Sequence, residues 1–176
     1  MEDLSLHVLD IVENSITAGA KRVEIKINED IAGDLLIIRI KDDGRGMPEE
    51  MVKEAVNPFF TTRTTRKVGL GLSLLTQAVN ESRGTFEIRS IQGAGTKITA
   101  TFQYSHIDRK PLGDMAQTMI TLIAGNPEVD FLYRHKKGSR RYSLDTAKIK
   151  ADLEGVPIND LTVIKAIQTD LEEDIR

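Results

Sequence analysis

The segment Leu35 to Ile40 is the most continuous apolar run in the chain, and it leads into Asp42-Asp43-Gly44-Arg45-Gly46-Met47. A short run that is apolar at every position, apart from one Arg, has both faces buried, which predicts a strand central in its sheet. Alternation puts Leu36, Ile38, Ile40 and Asp42 on one side of that strand and Asp43 on the other. One carboxylate therefore ends an inward-facing row, beside two glycines that let a flat ligand approach the backbone closely. A carboxylate only accepts hydrogen bonds, so Asp42 suits the exocyclic amine of adenine better than a carbonyl-bearing purine edge. An acidic Asp-Gly turn is common, however, and this stretch needs support from the rest of the chain.

Upstream, Leu4, Val8, Leu9, Ile11, Val12 and Ile16 recur at helical spacing from Asp3 to about Thr17, and Gly19 is placed to stop that helix. His7, Asp10, Asn14 and Thr17 form a polar stripe on the opposite face, with Asp10 and Asn14 one turn apart and pointing the same way. An acid and an amide so placed could offer a base and an oxygen ligand for Mg²⁺ to one phosphate chain. Spacing alone favours a plain solvated face. Val23, Ile25 and Ile27 alternate with charged residues as a half-buried strand, joined to the central one by a turn at Asn28 to Asp34.

Downstream, Pro48, Glu49 and Glu50 open a short helix to about Val56. The next stretch, Asn57 to Val68, contains Phe59, Phe60, Thr61, Thr62 and Arg63 and has no clear periodicity. Its aromatic pair can anchor one end while the Thr- and Arg-rich remainder moves as a lid. Gly69-Leu70-Gly71-Leu72 then begins an apolar-periodic helix that stops near Gly84. Glycines at a helix N-terminus expose amide donors and a positive dipole end, suited to phosphate, with Arg63, Arg66 and Lys67 near in sequence. The pattern is neither Walker nor Rossmann. Thr85 to Ile91 and Lys97 to Gln103 alternate as a hairpin about Gln92 to Thr96, where the Thr96 hydroxyl could lie near a base.

Composition narrows the chemistry. With 176 residues and a net charge of -3, one principal domain is expected, with no general attraction to nucleic acid or an anionic membrane. The absence of cysteine excludes disulfides and thiolate zinc sites, and three scattered histidines argue against an imidazole metal site. Any metal should be a hard cation on oxygen. Glu2 and Asp3 do not resemble a signal peptide, no apolar run approaches membrane-spanning length, and a cytoplasmic location is expected.

Taken in order, these elements resemble the ATP-binding domain shared by gyrase, ninety-kilodalton heat-shock chaperones, sensor histidine kinases and MutL-type repair proteins, the GHKL or Bergerat fold. Asp10 to Ala20 is similar to its asparagine box, Asp42 to Met47 to its first glycine box, and Asn57 to Arg63 to its aromatic box and lid. Gly69 to Leu72 and Gly93 to Thr96 resemble its later glycine elements. The resemblance covers about residues 1 to 104 and implies an α+β fold, a two-layer α/β sandwich holding Mg·ATP. It implies that Asn14 ligates Mg²⁺, that Asp42 binds the adenine amine, and that Gly44, Gly46 and Met47 shape the base pocket. It further implies phosphate contacts from Gly69, Leu70, Gly71 and Leu72 with the lid residues Phe60, Thr61, Thr62, Arg63 and Lys67, and a water-mediated base contact from Thr96. Where hydrolysing members carry glutamate as the water-orienting base, this chain has Asp10, one methylene shorter, and a misplacement of about 1 Å can lower a rate ~10²-fold. Glu13 lies 100° around the helix from Asn14 and is the weaker candidate.

Asn57 to Arg63 looks more like the histidine-kinase version, yet that class's two-helix phosphoacceptor segment is not seen ahead of it, so phosphate is expected to pass to a partner protein. His7 reads as pocket rim or a solvated residue, and His106 and His135 as surface residues. The expected function is a signalling or regulatory Mg·ATP-binding protein that transfers the γ-phosphate. The alternatives are an ATP-gated binding module or slow ATPase. Beyond a linker at 105–111, residues 112–176 read as an appendage: one amphipathic helix followed by a small ββαα unit, packed on the ATPase domain or on a partner. Its last helix carries Leu161, Ile164, Ile167 and Leu171 inward. Arg134, Lys136, Lys137, Arg140 and Arg141 on its hairpin are the one hint of a dock for nucleic acid or an acidic protein, otherwise not expected.

Overall fold

A computed structural model describes residues 2–56 and 70–175. Among these, six strands form one sheet in the order β3-β4-β2-β1-β5-β6. The strands are β1 (Arg22–Asp30), β2 (Leu35–Asp42), β3 (Phe86–Ile91), β4 (Gly95–Gln103), β5 (Asp130–Lys137) and β6 (Arg140–Asp145). The apolar run of β2 lies inside this sheet, antiparallel to β1 on one side and β4 on the other. Its inner row Leu36, Ile38, Ile40 and Asp42 is buried, in register with Ile27 and Ile25 of β1 and with Ile98, Ala100 and Phe102 of β4. Arg39 and Lys41, on the outer side, are exposed.

The helices are α1 (Leu4–Thr17), α2 (Glu49–Val56), α3 (Leu70–Glu81), α4 (Met115–Gly125), α5 (Thr146–Asp152) and α6 (Leu161–Ile175). Asp3 caps α1, its carboxylate accepting from Leu6 N at 3.1 Å, and Gly19 ends the helix at φ 79°. The apolar stripe Leu4, Val8, Ile11 and Val12 is buried against the inner sheet row. His7, read from sequence as rim or solvated, is 2% exposed instead. The apolar stripe is wider than the spacing suggests, because α1 also contacts α3 and α4 and so turns part of its polar stripe inward. Burial is the largest influence on His7 and pushes its imidazole below the ordinary value.

The C-terminal third does not stand beside the sheet but continues it. β5 pairs in parallel with β1, from Arg22 opposite Asp130 to Glu29 opposite Lys137, and the β5–β6 hairpin forms the far edge. Apolar residues from both parts belong to one core cluster, from Ile25 and Phe102 to Met119, Phe131 and Leu171. The segment 105–111 is tied at both ends. Ser105 N donates to Asp34 at 2.7 Å, while Leu4 N and Ser5 N donate to Pro111 O and Leu112 O. In α6, Ile167 and Leu171 are buried as the spacing predicts, but Leu161 is 76% exposed, since it opens the helix at the end away from its packed turns. No helix among the described residues is long and apolar enough to cross a membrane.

A buried polar chain fastens the two parts of the sheet. His135 on β5, expected at the surface, is 6% exposed, and its Nε2 lies 2.7 Å from Glu29 Oε1 on β1. Tyr133 OH lies 3.0 Å from His135 Nδ1, and Tyr104 OH donates to Glu29 Oε2 at 3.2 Å. Burial raises the Glu29 carboxyl, but the hydrogen bond and charge of His135, with Lys137 and Tyr104, outweigh it and hold Glu29 below the ordinary value of 4.5. Parallel pairing of β1 with β5 makes the contact, which spans 106 residues of sequence. Removing one partner strands the other, so His135→Leu is expected to lower stability in urea unfolding by about 3 kcal/mol. Because the folded-state value of Glu29 is lowered, its contribution is fully present above pH 4.5 and is lost as pH falls through the lowered value. Glu29→Gln should flatten that acid limb.

Candidate functional site

The inner row of β2 ends at Asp42, which is 9% exposed. A carboxylate this buried requires donors, and two neighbouring elements supply them. Ser15 Oγ on α1 donates to Asp42 Oδ2 at 2.7 Å, and Gly44 N donates to Oδ1 at 2.9 Å. Asp43 points the other way and accepts from Lys21 N and Arg22 N at 2.7 and 2.9 Å. The strand's alternation thus assigns one aspartate to the interior and one to pinning the start of β1.

Thr96 on β4 is the cross-strand neighbour of Asp42, and its hydroxyl lies 2.8 Å from Ser90 Oγ on β3. Ser90 also receives Met47 N at 2.8 Å. The loop after β2 is therefore stitched to the β3–β4 hairpin, an attachment completed by Gly93 N donating to Arg45 O at 2.6 Å. Two glycines make so close an approach possible. A Cβ on Gly46, at φ 66°, would lie 2.1 Å from Ile91 O, and one on Gly95, at φ 113°, 2.0 Å from Asp42 O.

Between these elements lies a cavity of about 620 Å³, within the range of small-molecule sites. Asp42 and Thr96 line it together with Gly46 and Met47 from the loop, Asn14 and Ser15 from α1, and Leu72 from α3. Ile11, Ile88 and Ile98 form apolar wall and Gln92 adds a polar group. Asp10 is not in that lining. Its carboxylate lies against the first turn of α3, where a Cβ on Gly71 would fall 1.7 Å from Asp10 Oδ2. Packing α1 on α3 thus brings the acid and the helix N-terminus together. Gly44 lies behind the cavity, bonded to Asp42 and close to Ala18 O. Phe60, Thr61, Thr62, Arg63, Lys67 and Gly69, the lid as a whole, and the Leu70 side chain lie outside the described residues. No group of three His, Asp or Glu suited to a metal occurs among the described residues.

Ser15 and Ser90 are absent from the sequence-based set. Ser15 carried a usable signal, one turn after Ile11 on the buried side of the helix, and Ser90 continues the Phe86 and Ile88 row. What neither position reveals is its partner, which lies on another element. The two tight glycines yield a stability prediction. Gly95→Ala should lower stability by roughly 1–3 kcal/mol, from the overpacking and the positive φ together, measured by chemical unfolding. Gly93→Ala, with open space around its Cβ, should cost less despite its φ of 84°.

Residues 2–106 match the family model described as histidine kinase-, DNA gyrase B-, and HSP90-like ATPase. A putative sensor protein of Shewanella frigidimarina is 33% identical over 103 residues, which are 57% of this chain and 16% of that protein. Sporulation kinase C of Bacillus subtilis is 32% identical over 88 residues, 50% of this chain and 20% of the relative. The chain thus spans a fifth or less of the length of either. Among solved structures, the Aquifex aeolicus MutL ATPase domain complexed with ADP superposes with a TM-score of 0.55 at 20% identity, over 82% of this chain and 63% of that one.

Proposed function

The chain belongs to the family of histidine kinase-, DNA gyrase B- and HSP90-like ATPases, the GHKL family, and from that premise we propose that it binds Mg·ATP and passes the γ-phosphate to a partner protein in signalling. The observation that carries this reading is the buried Asp42 carboxylate, held by Ser15 and Gly44 at the wall of a cavity of about 620 Å³. A carboxylate has about four acceptor positions, and two are used here. The remainder suit an exocyclic amine and reject a purine carbonyl at the same place. Thr96, beside Asp42, offers a hydroxyl for a water-mediated contact. The relatives' printed names, a sensor protein and a sporulation kinase, support the signalling part of the proposal.

The phosphate end would fall to α1 and α3. Asn14 supplies an amide oxygen at the cavity wall, a hard ligand fit for Mg²⁺, which ordinarily keeps waters and phosphate oxygens as its other ligands. The N-terminus of α3 adds amide donors and a positive dipole end, with the Asp10 carboxylate lying against it at Gly71. Bound Mg²⁺ would neutralise charge on the transferring group. Asp10, beside that N-terminus, is the base that takes the proton of the attacking group. The lid residues Phe60, Thr61, Thr62, Arg63 and Lys67 belong to the same proposal as phosphate contacts closing over the site.

A second reading, a slow ATPase or ATP-gated binding module, draws on the same Asp10. Its shorter side chain reaches the backbone of α3 at Gly71, which leaves less reach toward a water. Calorimetry with ATP and Mg²⁺ tests binding. Asp42→Ala should weaken affinity by about 100-fold and Ser15→Ala by about 5-fold, in line with the loss of a charged and of a neutral hydrogen-bond partner. No binding by the unaltered chain overturns the proposal. Asp10→Asn should retain nucleotide affinity within about 3-fold yet lose label transfer from radiolabelled ATP to partner protein. If label never leaves ATP in the unaltered chain mixed with candidate partners, the gated-module reading replaces the kinase.

A further inference from the structure

Strand register arranges the outer face of the sheet in a way the near-neutral composition conceals. Arg89, Lys97 and Lys41 are side by side on β3, β4 and β2. Two residues further along β2, Arg39 stands beside Lys26 of β1 and Arg134 of β5. Two residues further along β5, Lys136 stands beside Arg141 of β6. These eight cations make one diagonal band from edge to edge of the sheet, and all but the half-buried Lys26 are exposed. The hairpin cluster noted in the sequence divides by alternation, with Arg134, Lys136 and Arg141 in the band and Lys137 and Arg140 on the helix side.

The fold supplies no reason for this band. Like charges directly across a ladder are destabilising, and here Lys41 faces Lys97, Lys97 faces Arg89, and Lys26 faces both Arg39 and Arg134. Of the acids on the same face, Glu24 stands directly opposite Lys41, Glu87 lies in the row of Arg39, and Asp30, Asp130 and Asp145 lie off the line. Lys26 pairs with Glu24 at 3.4 Å and Arg89 with Glu87. Among the described residues the other six cations have no ion pair. Six strands at about 4.8 Å spacing carry the band roughly 24 Å across, and its two-row offset lengthens it to about 27 Å.

We propose that this band binds the phosphate backbone of a nucleic acid. A line of cations is complementary to a line of anions, and over about 27 Å of helix axis one strand of a duplex carries about eight phosphates at ~3.4 Å each, of which roughly half turn toward the face. The outer positions of the six strands hold no aromatic residue, so the face has nothing on which to stack bases. Contact is therefore to the backbone, independent of base sequence, and duplex is preferred to single strand. The surface is separate from the cavity at Asp42, and the proposal stands or falls without the nucleotide reading.

Fluorescence anisotropy of a labelled 20-base-pair duplex with the full chain tests it. Binding at 50 mM salt should weaken by about 100-fold at 200 mM, the slope expected for about four phosphate contacts. Replacing Arg39, Lys97 and Arg134 together with Gln should reduce affinity at least about 10-fold and flatten the salt slope, with Tm unchanged or raised as like-charge repulsion is relieved. The same charge change off the band, Lys53, Lys148 and Lys165 to Gln, should alter affinity less than about 2-fold. The proposal is overturned by absent duplex binding at 50 mM salt, by equal losses in the two triple variants, or by a band variant whose Tm falls several degrees. Equal or tighter binding of poly-glutamate, or capture by phosphatidylserine vesicles without duplex binding, overturns the choice of nucleic acid.

Discussion

A carboxylate at the end of a buried strand must be paired, and the pairing of Asp42 organises the site around it. Ser15 reaches it from α1 and Gly44 from the following loop, so one side chain joins the sheet, the first helix and the glycine turn. Its immediate cross-strand neighbour, Thr96, extends the connection through Ser90 to Met47. Gly46 and Gly95 allow these backbones to approach to distances that no side chain would tolerate. The cavity is what remains between elements held in this way. Its polar groups stand on two strands, a helix and their connecting loop, which fixes them relative to one another more firmly than any single loop could.

The second long-range constraint lies at the other end of the sheet. Glu29 and His135 are buried together, with Tyr104 and Tyr133 completing their hydrogen bonds. They bind β5 to β1 and thereby make the C-terminal hairpin part of the same sheet. This extension also gives the outer face its width. Without β5 and β6 the cations of β3, β4, β2 and β1 would form a short patch, and with them the line runs from one edge to the other. One pairing event therefore shapes both the core and the surface.

Much of the candidate site was legible because it rests on local rules. The order of the asparagine stretch, the glycine turn and the later glycine elements resembles that of the family, and residues 2–106 match its model. Alternation along β2 was sufficient to separate the inward Asp42 from the outward Asp43. Less legible were side chains whose environment comes from elsewhere. His7 stands among Leu4, Val8 and Ile11, and His135 continues the row of Phe131 and Tyr133, yet as polar residues both read as solvated; α1 is flanked by two helices and β5 by two strands, which buries them. Leu161 misled in the opposite direction, since helical spacing marks a face and does not reveal where along the helix packing begins.

By itself, the sequence determined the main elements, the apolar rows of α1 and β2 and the family to which they belong. These follow from periods of 2 and 3.6 residues, which chain geometry imposes on any strand or helix. Only the tertiary structure decided that Ser15 holds Asp42, that Asp10 meets α3 at Gly71, that the C-terminal third shares the sheet, and that eight scattered cations form a line. Each depends on the register between segments far apart in the chain. Register is set by the packing of whole faces against one another, and no local period encodes it.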